Sequence, residues 1–557
     1  AVAARADAVH PGFGFLAENA EFAERVAAAG LAWIGPPPDA IRAMGDKSAA
    51  RRLAASLGVP ITAGYDRDDQ SDDALAAAAD RIGLPLLVKP AAGGGGKGMR
   101  IVRDRDRLVA ELAAARREAL GAFGDERLIL ERLVVGARHV EIQVLFDARG
   151  HGVHLGERDC SAQRRHQKVL EEAPSPAVDV PLRERMGAAA LTLAGAVGYV
   201  GAGTCEFLLG DDGAFTFLEM NTRLQVEHPV TELITGRDLV ADQLRIAAGE
   251  PLGFAQADVR LDGHAVEVRL YAEDAEAGFL PATGRIQLLR WPAGGGIRVD
   301  SGVDEGDEVG SRFDPMLAKI IARGDDRVDA LDRLARALDE TIVLGLTTNL
   351  RFLRWLVREP AVRAGQVRTD TLERIWPPND WADRAAIPDR AWSTAAAMLT
   401  SGVGPWSGGW RLNGPSVVRL EAGGTTRSVT VVDSGTAAIT AVRVDDTVFV
   451  DVDGRSVPFT IAAPPDVDRA ARAATHAHGG GPVDLIAPMP GSVVTVHVAA
   501  GDRVGAGDPV ITLEAMKMEH AVTATVEGRV AEIGVALGDQ VARGQVLAVL
   551  AVVDAAP

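Results

Sequence analysis

GSVVTVHVAAGDRVGAG, residues 491–507, returns 37 positions later as GRVAEIGVALGDQVARG, residues 528–544. The pairs Gly491/Gly528, Val493/Val530, Val498/Val535, Gly501/Gly538, Asp502/Asp539, Val504/Val541 and Gly507/Gly544 are identical at that constant offset. Each copy reads as a half-buried strand unit followed by a Gly-Asp turn. Neither copy can bury its apolar face alone, so the two are expected to pack as a pseudo-twofold flattened barrel. Between them lies LEAMKMEH, residues 513–520, with Lys517 near its midpoint. The midpoint of such a fold is a protruding hairpin. A lone lysine there is ordinarily just solvated, but this one is flanked by Met516 and Met518.

Composition narrows the rest. The chain has 557 residues, which at about 150 per domain predicts three or four domains. Its formal net charge of −18 argues against a protein whose main work is gripping nucleic acid or an anionic membrane. A hydrophobic share of 47% with 24% charged residues is ordinary globular composition with ample core. Cys160 and Cys205 are the only cysteines, which excludes a disulfide framework and predicts a reducing compartment. The best uncharged candidate for a membrane span, residues 186–205, is too rich in Ala, Gly and Thr to cross a bilayer. The first residues carry no signal-peptide pattern and no initiator Met, which reads as a start inside a larger gene product. Six of the 59 basic residues are lysines, at positions 47, 89, 97, 168, 319 and 517, and the rest are arginines. Coding bias explains the arginines. A compact or modifiable amine cannot be replaced by guanidinium, so these lysines are the first candidates for function, with Lys319 in the apolar run MLAKII the structural one.

Strand and helix patterns alternate through most of the chain. ENAEFAERVAAAG reads as a helix ending at Gly30, and AWIG as a strand. LPLLVKP, LILERLV, HVEIQVLFD and FTFLEMN read as strands, with an amphipathic helix near residues 108–120. AVEVRLYAE and DRVDALDRLARALDE add a strand and a helix, and residues 376–397 read as irregular and as a boundary. SVVRLEA, RSVTVVD, TAVRVDD and TVFVDVDG form a small β unit, and HAHGGG reads as a linker.

Three stretches concentrate chemistry. VKPAAGGGGKGMR, residues 88–100, puts four glycines after a strand. That is either a flexible loop or a nest of backbone N–H groups for phosphate, and its spacing fits neither a Walker A nor a dinucleotide fingerprint. ERDCSAQRRHQKVLEEAPSP, residues 157–176, is dense in charge beside an apolar pair. FLEMNTRLQVEHPVTE, residues 217–232, sets Glu219 and Asn221 two apart on a strand, hence on one face. Glu206, on a strand expected next to it, points to the same place. Three such oxygens near phosphates suit Mg²⁺.

These stretches resemble known families. Ala515-Met516-Lys517-Met518 is similar to the attachment sequence of the biotinyl domain of biotin-dependent carboxylases, as is the upstream APMPG. A lipoyl domain shares the repeat plan but usually has an acidic residue before its lysine. The glycine run with Lys89 and Lys47 resembles the ATP-grasp architecture, and RRHQK with its surroundings resembles the biotin carboxylase signature. The order Lys47, Lys89, glycine loop, HVEIQV, RRHQK, EMNTR with QVEH, then GHAVEVR is similar to biotin carboxylase over about residues 6–375. With its carrier, the chain resembles the α subunit of a biotin-dependent acyl-CoA carboxylase.

The resemblance implies a multidomain α+β chain. It would contain a truncated Rossmann-like (pre-ATP-grasp) remnant at residues 1–45, an ATP-grasp domain at 46–250 and a biotin carboxylase C-terminal domain at 260–376. A β-rich bridging and partner-docking region at 377–475, a linker at 476–482 and an all-β biotinyl domain at 483–552 would follow. The family's first strand, helix and glycine-rich turn are not in this sequence, and their absence would expose sheet edge. Lys47, Lys89, Gly93, Gly94, Gly95, Gly96, Glu131, Leu133, Val134, His139, Gln163 and His166 would hold ATP. Glu206, Glu219 and Asn221 would hold Mg²⁺ or Mn²⁺. Lys168, Arg223, Gln225, Val226 and Arg269 would surround bicarbonate and biotin, with Glu227 as the base for bicarbonate and Arg269 steadying the biotin enolate. Biotin would be covalent on Lys517. The activity implied is ATP-dependent carboxylation of that biotin by way of carboxyphosphate, in the cytoplasm. Its product would go to a separate carboxyltransferase β subunit within a hetero-oligomer of biotin carboxylase dimers or higher, after attachment by a biotin protein ligase. GPWSGGWRLNG, residues 404–414, resembles the bridge of methylcrotonyl-type subunits, and acetyl- or propionyl-type subunits stay open. Two other readings stand beside this one. One is a biotinylated carrier without catalysis, and the other is a different ATP-grasp ligase fused to a lipoyl-like carrier.

Overall fold

Long antiparallel strands build the centre of the molecule. The computed structural model describes residues 1–91, 98–164, 167–384, 386–401, 416–431, 439–463, 482–516 and 518–552. Eight strands join in one sheet: β1 (Arg138–Phe146), β2 (Gly152–Arg164), β3 (Gln167–Ala173), β4 (Gly201–Leu209), β5 (Phe215–Asn221), β6 (His264–Tyr271), β7 (Ile297–Ser301) and β8 (Met316–Gly324). Their spatial order is β5-β4-β1-β2-β3-β6-β8-β7, and every neighbouring pair is antiparallel. The sheet therefore runs without a break from β1–β5 into β6–β8, through the β3–β6 pairing.

Two cores flank it. One is built on the helix Val180–Ala196 with Ile142, Val144, Phe207 and Phe217, and the other on the helix Arg327–Glu340 with Val266, Ile320 and Leu334. Asp179 and Asp326 cap those helices by accepting from Leu182 N and Asp329 N at 2.9 Å each.

A smaller four-stranded sheet stands apart, in the order Gly64–Tyr65, Leu128–Arg132, Leu86–Pro90, Arg100–Val102. The helices Asp72–Ile82 and Leu108–Phe123 cover it through Leu75, Leu108 and Leu112. It carries Lys89 and Glu131. Towards the N-terminus, Ala8–Val9 pairs in parallel with Ala32–Trp33, and the intervening helix Ala20–Ala28 is capped by Asn19, which accepts from Phe22 N at 2.7 Å.

The boundary expected at residues 376–397 differs in detail. Trp376 and Trp381 pack at 4.4 Å on each other, and Trp376 lies 4.7 Å from Phe352, so the chain stays on the preceding unit to that point. Residues Asp389–Thr400 then form a helix rather than irregular chain. Pro388 ends the extended run, and Ala391, Trp392, Ala395, Ala396 and Leu399 give a buried stripe at helical spacing. That stripe lies on a five-stranded sheet, whose last strand in the chain, Arg455–Ile461, ends the stretch of alternation. The motif at residues 404–414 and the linker lie outside the described residues, apart from residue 482.

The C-terminal unit explains its repeat. The expected flattened barrel is built as two four-stranded sheets, without hydrogen-bonded closure among the described residues. Val493 and Val530 are each 1% exposed, and Val504 and Val541 are buried. Asp502 and Asp539 each accept the backbone N–H three residues back, from Ala499 and Ala536, at 2.8 Å. Gly501 and Gly538 hold φ of +96° and +88°, a turn that disfavours other residues. A Cβ at Gly491 would lie 2.5 Å from Glu514 O, and one at Gly528 would lie 2.7 Å from Ala551 O. Backbone cannot step aside cheaply, so Gly528→Ala is expected to cost about 1–3 kcal/mol. Gly534→Ala, whose Cβ would meet only ordinary contacts at 3.6 Å, is expected to be near neutral. Calorimetry of the full chain compares the two variants.

Candidate active site

The chemistry lies on the central sheet because register brings it there. Glu206 on β4 is the direct partner of Glu141 on β1 and of Glu219 on β5. Glu141 faces Arg158 on β2, Gln163 faces Lys168 across the β2–β3 turn, and Glu171 faces Glu267 across β3–β6. Side chains two apart share a face, so His139 joins Glu141, and Arg269 joins Glu267.

Lys168 is the hub. Its Nζ donates to Glu227 Oε1 at 2.5 Å, Glu141 Oε2 at 2.6 Å and Glu206 Oε1 at 3.2 Å. Burial alone would lower its pKa, but the Cys160, Glu141, Glu206 and Glu227 groups around it hold the ammonium well above the usual range. Arg269 donates from Nε to Glu171 at 2.6 Å and from a terminal nitrogen to Glu227 Oε2 at 3.0 Å. Burial would push the Glu227 carboxyl up, yet Lys168, Arg269 and Arg158 keep it well below the usual carboxylate range. Val226 is fixed from behind, because Lys319 Nζ donates to its carbonyl at 2.6 Å. Lys319, expected to be structural, is therefore the backing of that loop.

The expected metal set is brought together in part. Asn221 Nδ2 and Gln225 Nε2 each donate to Glu206 Oε1 at 2.8 Å, and His139 Nε2 is hydrogen-bonded to Glu206 Oε2 at 2.8 Å. Glu219 instead pairs with Lys47 at 2.9 Å. One candidate ligand atom from each of His139, Glu141 and Glu206 lies within 4.8 Å of the others, as does one from each of Glu141, Cys160 and Glu227. Glu206, Glu219 and Asn221 offer only hard oxygen donors from neighbouring strands, which fits Mg²⁺. Arg223 donates to Asn221 Oδ1 at 3.1 Å and pairs with Glu18 at 3.3 Å.

On the small lobe, Lys89 pairs with Glu131, which also accepts from Arg51 at 2.9 Å. Leu133 and Val134 follow half-buried at the end of that strand. Gln163 is buried near the C-terminal end of β2. Gly93, Gly94, Gly95, Gly96, His166 and Lys517 lie outside the described residues.

Sequence reasoning missed four members. Arg158 has no exposed side-chain surface and spends its N–H groups on Glu141, Gln143, Thr204, Gln225 and Thr231 at 2.5–3.2 Å. Glu141, Glu171 and Glu18 complete the set. For Glu141 the available signal was a charge inside a strand too apolar to face water, RHVEIQVLF, which is buried throughout, whereas Glu18 lies in a short 3-10 turn and carried no such signal.

The comparisons follow this layout. Family profiles match residues 1–41 (biotin carboxylase, N-terminal domain), 46–255 (carbamoyl-phosphate synthase L chain, ATP binding domain), 267–374 (biotin carboxylase C-terminal domain) and 483–550 (biotin-requiring enzyme). The mitochondrial methylcrotonoyl-CoA carboxylase subunit alpha of Dictyostelium discoideum is 40% identical, over 98% of this chain and 85% of its own. The chain belongs to the α subunits of the biotin-dependent acyl-CoA carboxylases. The propionyl-CoA carboxylase alpha chain of Ruegeria pomeroyi is 37% identical, over 97% of this chain and 88% of its own. Among solved structures, the biotin carboxylase domain dimer of Hydrogenobacter thermophilus 2-oxoglutarate carboxylase, in complex with MgADP, ADP and bicarbonate, is 42% identical at a TM-score of 0.66. It covers 67% of this chain and 82% of that one. The biotin carboxylase of Campylobacter jejuni is 39% identical at 0.65, over 67% and 83%. The α subunit is a ligase-type carboxylase that carboxylates biotin at the expense of ATP and works with a carboxyltransferase β subunit. No helix among its described residues is long and apolar enough to cross a membrane.

Two outcomes test this geometry. Arg158→Met strips the donors from two glutamines, two threonines and Glu141, and is expected to cost about 3–5 kcal/mol in thermal unfolding. Burial pushes the Glu171 carboxyl up to about 6 even though Arg269 pulls it down. Below that pH Glu171 is protonated and releases its charge-assisted hold on Arg269. Biotin carboxylation is expected to fall as pH drops through about 6, and Glu171→Gln is expected to be slower at pH 8 with that acid limb flattened.

Proposed function

We propose that Glu227, Lys168 and Arg269 form the site at which bicarbonate is activated and biotin, carried on Lys517, is carboxylated. The observation that carries this is one carboxylate, Glu227, held ionised between an ammonium at 2.5 Å and a guanidinium at 3.0 Å. An ionised, oriented carboxylate is what a base for bicarbonate requires. Glu227 takes the bicarbonate proton while the oxygen attacks the γ-phosphorus of ATP and ADP leaves. The carboxyphosphate so formed splits into CO₂ and phosphate. The phosphate takes the proton from biotin N1, and the resulting enolate, steadied by Arg269, attacks CO₂. Lys168, Arg223, Gln225 and the Val226 backbone orient bicarbonate and balance charge on its oxygens.

Lys47, Lys89, Glu131, Leu133–Val134, His139, Gln163 and His166, with the glycine loop, would bind ATP between the two sheets. Glu206, Glu219 and Asn221 would hold Mg²⁺ or Mn²⁺, which supplies neutralisation of phosphate charge. The strand pairing of Glu206 with Glu219 supports that set. Biotin protein ligase is the proposed modifying partner, and assembly through biotin carboxylase dimers or higher accords with the Hydrogenobacter dimer. The cytoplasm is the proposed location, supported by two buried free cysteines. A methylcrotonoyl-type acyl-CoA is the proposed acceptor, on the names of six relatives at 37–40% identity.

ADP release with MgATP, bicarbonate and free biotin, omitting each in turn, tests the reading. Turnover is expected to need all three, and to fall at least ~100-fold in Glu227→Gln. Lys517→Arg is expected to lose covalent biotin while keeping free-biotin turnover. Biotin that persists on that variant overturns the attachment site, and turnover indifferent to biotin overturns the reaction.

A further inference from the structure

Residues 273–281 make a tight hairpin, Glu273–Asp274 paired with Leu280–Pro281, on the outside of the C-terminal half of the central sheet. Its two sides face different things. Inward, Phe279 is buried against Phe352 at 5.0 Å, and the Arg164 guanidinium lies 4.0 Å from its ring centre. Arg164 is four residues before Lys168 and is register partner to Gln167. Outward, the hairpin touches the C-terminal biotinyl unit. Leu280 packs on the core that holds Met489, Val510 and Leu547, and Asp274 lies 4.0 Å from Arg543. Leu280 and Asp274 are register partners, so one spot presents an apolar contact and an acid together.

A third contact lies nearby. Met516 N donates to Ser311 O at 3.3 Å. Met516 is the residue before Lys517. Ser311 lies in the loop that leads through Pro315 into β8, and Ala272 N donates to Pro315 O at 2.8 Å just past the end of β6. Arg269 stands on that strand, opposite Lys319. The hairpin tip of the carrier thus contacts the loop at the end of the strand that bears Arg269.

We propose that this hairpin and the Ser311 loop form a dock, used in cis, on which the chain's own carrier seats while its biotin is carboxylated. The proposal rests on the reading that Lys517 carries biotin for the site at Glu227. Among the described residues the contacts include one apolar residue, one long ion pair with a 62% exposed arginine side chain, and one backbone bond. Such a surface holds a free partner poorly. A partner on the same chain arrives at an effective concentration on the order of mM, so weak contacts suffice and release stays fast. A carrier that must leave for a carboxyltransferase needs both properties.

The test uses the full biotinylated chain and single-turnover incorporation of labelled bicarbonate into it, beside ADP release with free biotin. Leu280→Asp is expected to slow incorporation into the tethered biotin about tenfold and to leave free-biotin turnover unchanged. Asp274→Arg and Arg543→Asp are each expected to slow it about threefold, and the double exchange is expected to restore it, which separates docking from a folding defect. Incorporation in the parent is expected to be independent of chain concentration. Parent-rate labelling in Leu280→Asp and in both single charge variants, or a rate proportional to chain concentration, overturns the dock while free-biotin turnover leaves the site intact. If the parent turns over neither free nor tethered biotin, both readings fall.

Discussion

A single ammonium, that of Lys168, draws three buried carboxylates into one place. Removing Glu141, Glu206 and Glu227 from water is costly, and without a cation among them their mutual repulsion would force protonation or disorder. Arg158 beneath and Arg269 beside it complete the neutralisation. The arrangement stores charge in a dry place with its geometry already fixed, which is the condition under which electrostatics aids a reaction most. A core of apolar residues at these positions would be easier to fold and would do nothing.

That concentration of charge is possible because one antiparallel sheet supplies it. Members of the site come from β1 to β6, which belong to two stretches of chain matched by different family profiles. The β3–β6 pairing welds those stretches, so the position of Arg269 relative to Lys168 is set by backbone ladder rather than by a hinge between domains. The small lobe, with Lys89 and Glu131 on its own sheet, is separate from that ladder. The carboxylate cluster thus shares no strand pairing with the sheet that carries Lys89 and Glu131.

What the sequence disclosed followed from locality. Alternation placed Glu219 and Asn221 on one face, the repeat announced the carrier, and the scarcity of lysine singled out Lys47, Lys89 and Lys168. What stayed hidden was non-local. Nothing near Arg158 says that it meets Glu141, Gln143 and Gln225, because those contacts depend on register between strands far apart in the chain. The helix Asp389–Thr400 was masked by the Pro- and Trp-rich residues before it, although its alanines have ordinary helical spacing. The partners of Glu219 and Glu206 also differ from a reading that groups them only as metal ligands, since each carboxylate already holds a lysine.

The same lysines have a further meaning for amine chemistry. Each of the four described lysines is committed: Lys47 to Glu219, Lys89 to Glu131, Lys168 to three glutamates, and Lys319 to a carbonyl and Asp300. The ammonium groups of Lys47 and Lys168, both held above the usual range by the carboxylates around them, give up their proton reluctantly and have no lone pair to offer an acyl donor. By replacing nearly every other surface amine with guanidinium, the chain leaves few nucleophilic nitrogens for an activated acyl group to find. Selectivity in acylating one lysine is then partly a property of the substrate protein's composition, before any enzyme recognises the turn that bears it.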